Sequence, residues 1–154
     1  MKTLPPIAAA LALMLLVAAP AFAGGDWNDA GVKWMPYKEG IAEAKKKDKP
    51  VCLIVYTDWC PHCTNYSGVF HDPKVVEMSK NFVMIRLNGD QEKDLSKQFA
   101  VDGGYIPRTL FLSPDGKVDP AIHAQGRDKF MYFYDEKNPA SVLAGMEEAK
   151  KKFD

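Results

Sequence analysis

The sequence is poor in cysteine, with three in 154 residues. That is too few to staple an exported fold with disulfides, and an odd number leaves one without an internal partner. Charge of one sign is not in excess: 20 Lys and Arg stand against 20 Asp and Glu. Nothing in that balance provides the clustered basic face that nucleic acid requires, so nucleic acid is excluded as a partner. A second C-x-x-C, which a four-ligand structural zinc site commonly needs, is missing. The one pair present cannot attach haem, because Thr64 stands where C-x-x-C-H needs its histidine. There is no internal repeat, and low complexity is confined to the first residues.

Those first residues have the pattern of a secretory leader. Lys2 gives a short basic start, "IAAALALMLLVAA" is apolar, and "AFA" at 21–23 is a small-x-small cleavage site before Gly24. Pro20 and the alanine-rich composition argue against a membrane anchor. We therefore expect a signal peptide over 1–23, cleaved after Ala23, and a single exported domain over 24–154. No cysteine follows the apolar run, which excludes a lipoprotein, and no paired arginines precede it. Removing the leader with its single Lys2 leaves 19 basic and 20 acidic side chains. The lysine runs in "AKKKDK" and "AKKKF" fall at the ends of expected helices, where they suit the C-terminal dipole.

Residues 24–36 read as an extended lead-in. Tyr37, Ile41 and Ala44 share one face at helical spacing, which predicts a helix over 37–48. "VCLIVYT" (51–57) is a continuous apolar run of the kind buried on both faces of a parallel sheet. The cysteine pair opens a helix at its end, running to about Phe70. Asp72 and Pro73 start another helix as N-cap and first residue. A second strand over 82–88, a helix from about Gln91, and a strand, turn and further strand over 109–118 follow. Residues 119–137 include "FMYFY", an edge strand or a packed loop, and Asn138–Pro139 caps a last helix with Val142, Leu143 and Met146 inward. The order predicts an α/β fold, one mixed sheet sandwiched between helices, with the cysteines at the carboxyl end of a central strand.

In "DWCPHCTNY" (58–66), Cys60 and Cys63 lie one helical turn apart. A cysteine at a helix start faces unpaired N–H groups and the positive end of the dipole, which favour the thiolate. Cys60 is thus expected to be the exposed nucleophile, and Cys63 the thiol that resolves a mixed disulfide. Pro61 is tolerated in the first turn. His62 is expected to donate to the Cys60 thiolate or to stabilise it as a cation, which makes the couple more oxidising. Cys52 reads as a buried core thiol.

"WCPHC" after an apolar strand, "RLNGD" (86–90) and "YIPRTLFL" (105–112) together resemble the thioredoxin superfamily, from about Trp34 to Lys150. "NFVMIRLN", "GGYIPRTLFLSPDGKV" and "YFY" are similar to its small single-domain secretory members, the anterior-gradient group. The resemblance implies a thioredoxin fold and a redox-active Cys60–Cys63 disulfide. It also implies a cis Ile106–Pro107 opposite Cys60, and Trp59 and Ile106 against the substrate. The expected activity is protein disulfide oxidoreduction toward oxidation or isomerisation, without cofactor or metal. Partners would be exported proteins bearing thiols or disulfides and a membrane or periplasmic redox partner, met by a monomer. The chain ends in "KKFD", without a K-D-E-L retention signal, and beside the resemblance this gives the expectation of an exported bacterial form located in the periplasm.

Two departures stand out. The Pro-His dipeptide is that of the bacterial oxidase DsbA, yet the segment before Pro107 is too short for that protein's inserted helical domain. Thioredoxins also carry a buried acid six positions before the first cysteine, where this chain has Ile54. The rival class is a copper(I) carrier using both thiolates, with His62 or His71 as a third ligand. A non-catalytic client-binding module is the third reading.

Overall fold

A computed structural model describes residues 24–154; the expected signal peptide lies outside the described residues. The chain forms β1 (Trp34–Met35), α1 (Tyr37–Lys47), β2 (Val51–Tyr56) and α2 (Pro61–Ser67), the last running into a 3-10 turn over Gly68–His71. Then come α3 (Pro73–Ser79), β3 (Val83–Asn88), α4 (Lys93–Gln98), β4 (Arg108–Leu112) and α5 (Pro139–Phe153). The sheet order is β1-β3-β2-β4, with β4 antiparallel to β2 and the other pairs parallel.

β2 has a neighbour on each edge and helices over each face, so every residue from Val51 to Val55 is buried. Alternation of side chains divides them between two cores. Cys52 and Ile54 join Tyr66, Phe70, Phe111, Val142 and Met146 beneath α2, α3 and α5. Val51, Leu53 and Val55 join Ala44, Ile85, Leu87 and Leu110 beneath α1 and α4. Helix starts follow local chemistry. The Asp72 carboxylate accepts from the N–H groups of Lys74 and Val75 at 2.9 and 3.2 Å, and Asn138 caps Ala140 at 3.1 Å. α1 ends at Asp48 in a left-handed conformation, φ 51°, with three lysines in its last turn.

The expected strand after the Pro114–Asp115–Gly116 turn is reduced to one bridge, Leu112 to Val118. That bridge consists of the Asp119 N–H to the Phe111 carbonyl and the Ser113 N–H to the Lys117 carbonyl; beyond it Pro120 has no N–H to offer, and the Ile122 N–H turns the chain back onto the Asp119 carbonyl. The "FMYFY" stretch is a packed loop. Tyr132 and Tyr134 are buried in opposite cores, and Thr109 N–H reaches the Tyr132 carbonyl at 2.8 Å. The helix opened by the cysteine pair is shorter than expected, since its last turn tightens to 3-10 geometry.

Arg108, at the start of β4, is the largest fully buried side chain. Burial works against its charge. In return its guanidinium donates to the carbonyls of Phe99 (3.2 Å), Ser96 (2.8 Å) and Tyr105, tying the chain after α4 to the residues before β4. We expect Arg108→Met to lower unfolding free energy by roughly 2–4 kcal/mol, because it strands buried carbonyls. Urea denaturation followed by circular dichroism checks this; a loss below about 1 kcal/mol would contradict the role given to these bonds.

Candidate active site

The two cysteines sit where β2 ends. Cys60 is the N-cap of α2, its backbone still extended, with φ −82° and ψ 113°. Its Sγ accepts the Cys63 N–H at 3.1 Å, the bond a capping side chain makes. Pro61 follows at the first helical position, where a missing N–H costs nothing. Across the site, the Cys60 thiol points at the carbonyl of Ile106, 3.9 Å away. The Ile106–Pro107 peptide bond is cis, and Pro107 is buried. Antiparallel pairing of β2 with β4, Val55 opposite Arg108, brings these two loops together.

Cys60 and Cys63 are not bonded to each other in this structure. Contrary to the exposed nucleophile expected from the sequence, Cys60 is 3 % accessible and Cys63 fully enclosed. The Ile106 carbonyl and the α2 backbone cover the sulfur from two sides. Burial pushes the Cys63 thiol well above the usual range, and its contact with Cys60 adds to this. Cys52 is raised by burial alone, as a core thiol should be.

Trp59 is 70 % exposed and its indole N–H donates to Asp90 at 2.7 Å. Asn88, at the end of β3, donates to Asp58 at 3.0 Å, so the segment before Cys60 is tied to the neighbouring strand end. His62 is likewise placed differently from the direct donor expected. Its Nδ1 lies 2.7 Å from Glu136, whose other carboxylate oxygen accepts from Asn65 at 2.9 Å. The imidazole also meets Phe133 edge-on, 5.7 Å between centroids. His71 bonds to Asp26, away from the thiols. Arg86 pairs with Asp29 at 2.9 Å and lies over Trp27 and Trp34, so it serves the lead-in segment. Among the described residues, no three His, Cys, Asp or Glu side chains converge as a metal site.

Glu136, Asp90 and Asp58 were not singled out by sequence reasoning. Glu136 is 74 residues from His62, and nothing in "YDEKNP" distinguishes it from the adjacent Asp135. Asp58 and Asp90 flank quoted motifs, yet their partners depend on the β2–β3 register.

Two thiols a helical turn apart, one capping the helix and one recessed, can close to a disulfide and reopen. The family model described as Thioredoxin-like matches residues 33–114, just over half the chain. The chain belongs to the thioredoxin-like family. Its Cys60–Cys63 pair makes it a C-x-x-C member of these disulfide oxidoreductases. Human anterior gradient protein 2 homolog is 28 % identical over 126 residues, covering 81 % of this chain and 70 % of that protein. Among solved structures, a Thermus thermophilus thioredoxin shares the fold with a TM-score of 0.62 at 23 % identity, covering 80 % and 90 % of the two chains. A protein described as DsbH Oxidoreductase does so at 0.57 and 19 %, covering 94 % and 96 %. The thioredoxin fold expected from the sequence is thus shown.

Accessibility and charge set an order of thiol reactivity. We expect limiting iodoacetamide at pH 6 to modify Cys60 before Cys63 or Cys52, mapped by peptide mass analysis. In Cys60→Ala the larger cause of the Cys63 shift, burial, persists, so Cys63 should stay unreactive at neutral pH and label only under alkaline conditions. Prior labelling of Cys63 or Cys52 in the wild type would overturn this order.

Proposed function

We propose that this protein is a periplasmic thiol–disulfide oxidoreductase that exchanges disulfides with exported proteins, working toward oxidation or isomerisation. The observation that carries the reading is the placement of Cys60 Sγ, held at 3.1 Å by the Cys63 N–H with the Ile106 carbonyl 3.9 Å across from it. Thioredoxin-like oxidoreductases act on thiol or disulfide clients. In the proposed exchange Cys60 attacks or is attacked by the client sulfur, and Cys63 resolves the mixed disulfide. The client backbone lies along Ile106–Pro107, and Trp59 borders it.

Export rests on the leader pattern of residues 1–23. Among the described residues no helix is long and apolar enough to cross a membrane. The direction rests on the residues between the cysteines. Groups that stabilise the Cys60 thiolate stabilise the reduced protein and raise the potential of the couple. The Cys63 N–H at the helix start, aimed at Cys60 Sγ, is such a group.

Equilibration against glutathione should place the couple near about −150 mV, whereas about −270 mV would assign it to reduction. In cells, Cys63→Ala should accumulate mixed disulfides with periplasmic clients, since no internal thiol remains to release them. Non-reducing gels should show adducts that require Cys60 and persist with a copper chelator. An absence of adducts, together with tight copper(I) binding by the wild type, would replace this reading with the carrier.

A further inference from the structure

Three non-glycine residues among those described have positive φ: Asn28, Asp48 and Phe130. Asn and Asp enter this region readily, but a bulky aromatic residue rarely does. Phe130, at φ 53°, is also 53 % exposed. A glycine would take the same backbone without strain and without apolar exposure. Its backbone conformation and its exposure therefore give no reason for this side chain.

Its surroundings do. Asp102 accepts from Tyr105 Oη at 2.6 Å and from the Met131 N–H at 2.7 Å, while Tyr105 Oη accepts the Tyr132 N–H at 3.0 Å. These bonds fasten the backbone just after Phe130 to the loop carrying Ile106 and Pro107. The Phe133 N–H closes the turn onto the Phe130 carbonyl at 3.0 Å. The Phe130 ring stands edge-on to Tyr105, 4.9 Å between centroids. Tyr105 directly precedes Ile106, whose carbonyl faces Cys60 Sγ. An exposed aromatic ring is thus fixed in a strained turn beside the segment nearest the nucleophile.

We infer that Phe130 is a specificity-determining residue, a shelf that receives an apolar side chain flanking the client's cysteine. This rests on the disulfide-exchange reading above and names its substrate class: client segments with an aromatic or aliphatic residue next to the reacting cysteine. Tyr105 and Asp102 are positioning residues for the shelf.

The test uses the reduced protein and three disulfides: oxidised glutathione, and the homodimers of acetyl-Phe-Cys-Gly-amide and acetyl-Ser-Cys-Gly-amide. In each, the Cys60 thiolate attacks one sulfur and expels one thiolate. Cys63 then loses its proton and attacks Cys60 Sγ, expelling the second. Two electrons pass from the protein dithiol to the substrate disulfide, and both protons finish on the released thiols. Rates come from acid-quenched single turnovers resolved by mass.

We expect the wild type to prefer the Phe peptide over the Ser peptide by about ten-fold, a modest apolar contact. Phe130→Gly should abolish that preference while glutathione disulfide reacts at the wild-type rate, and Phe130→Tyr should keep the preference. Glycine suits the positive φ, so Phe130→Gly should remain folded, with an unfolding midpoint no lower than the wild type's. Equal wild-type rates for the two peptides, or a preference surviving in Phe130→Gly, would overturn the shelf and leave disulfide exchange standing. Failure of the wild type with all three substrates would overturn both.

Discussion

The antiparallel pairing of β2 with β4 is the constraint on which the site depends. Val51 to Val55 of β2 pair with Leu112 to Arg108 of β4, so the chain entering the cysteine helix and the chain leaving Ile106–Pro107 meet at one end of the sheet. A slip of one residue would exchange the faces, sending Cys52 and Ile54 into the core now occupied by Leu53 and Val55. Arg108 limits that slip. Its guanidinium is committed to carbonyls before β4, and a displaced register would leave either the charge or those carbonyls buried without partners. Stability of the fold and placement of the Ile106 carbonyl against Cys60 therefore share one cause.

Enclosure of Cys60 follows from the same arrangement and shapes its chemistry. An apolar surround by itself disfavours a thiolate, and Cys63 shows that effect. At Cys60 a backbone N–H of its own helix points at the sulfur. The Ile106 carbonyl faces the sulfur on one side and the first turn of α2 on the other. In the proposed exchange, selection among clients falls to Trp59, whose indole is tied to Asp90, and to the loop carrying Phe130, Phe133 and Glu136.

Much of this was legible in the sequence because the signals are local. The apolar run of β2, the Asp72–Pro73 and Asn138–Pro139 helix starts, and the C-x-x-C at a strand end each sit within a few residues. The Ile106–Pro107 placement came from resemblance, since one Ile-Pro pair in isolation says little. What escaped notice spans the chain. The contact of His62 with Glu136 and that of Trp59 with Asp90 cross 74 and 31 residues, and no periodicity records them. The enclosure of Cys60 escaped too, because its position in a helix start says nothing about the carbonyl opposite. The 119–137 segment resisted because its tyrosines serve both cores, so it shows neither helical nor strand spacing.

The isoleucine at position 54 bears on how protons move in the proposed exchange. Ile54 is fully buried in the same cluster as Cys60 and Cys63, so the place of the thioredoxin acid is filled by hydrocarbon. Burial keeps the Cys63 thiol protonated at neutral pH, and it must lose that proton to attack the mixed disulfide. The departing client sulfur, which becomes a thiolate as Cys63 attacks, is a base generated within the same reaction. Proton transfer from Cys63 to that leaving group would couple resolution to release and require no resident carboxylate. A client with a more basic cysteine would accept the proton more readily yet leave more slowly, so these opposing effects favour client thiols of intermediate basicity.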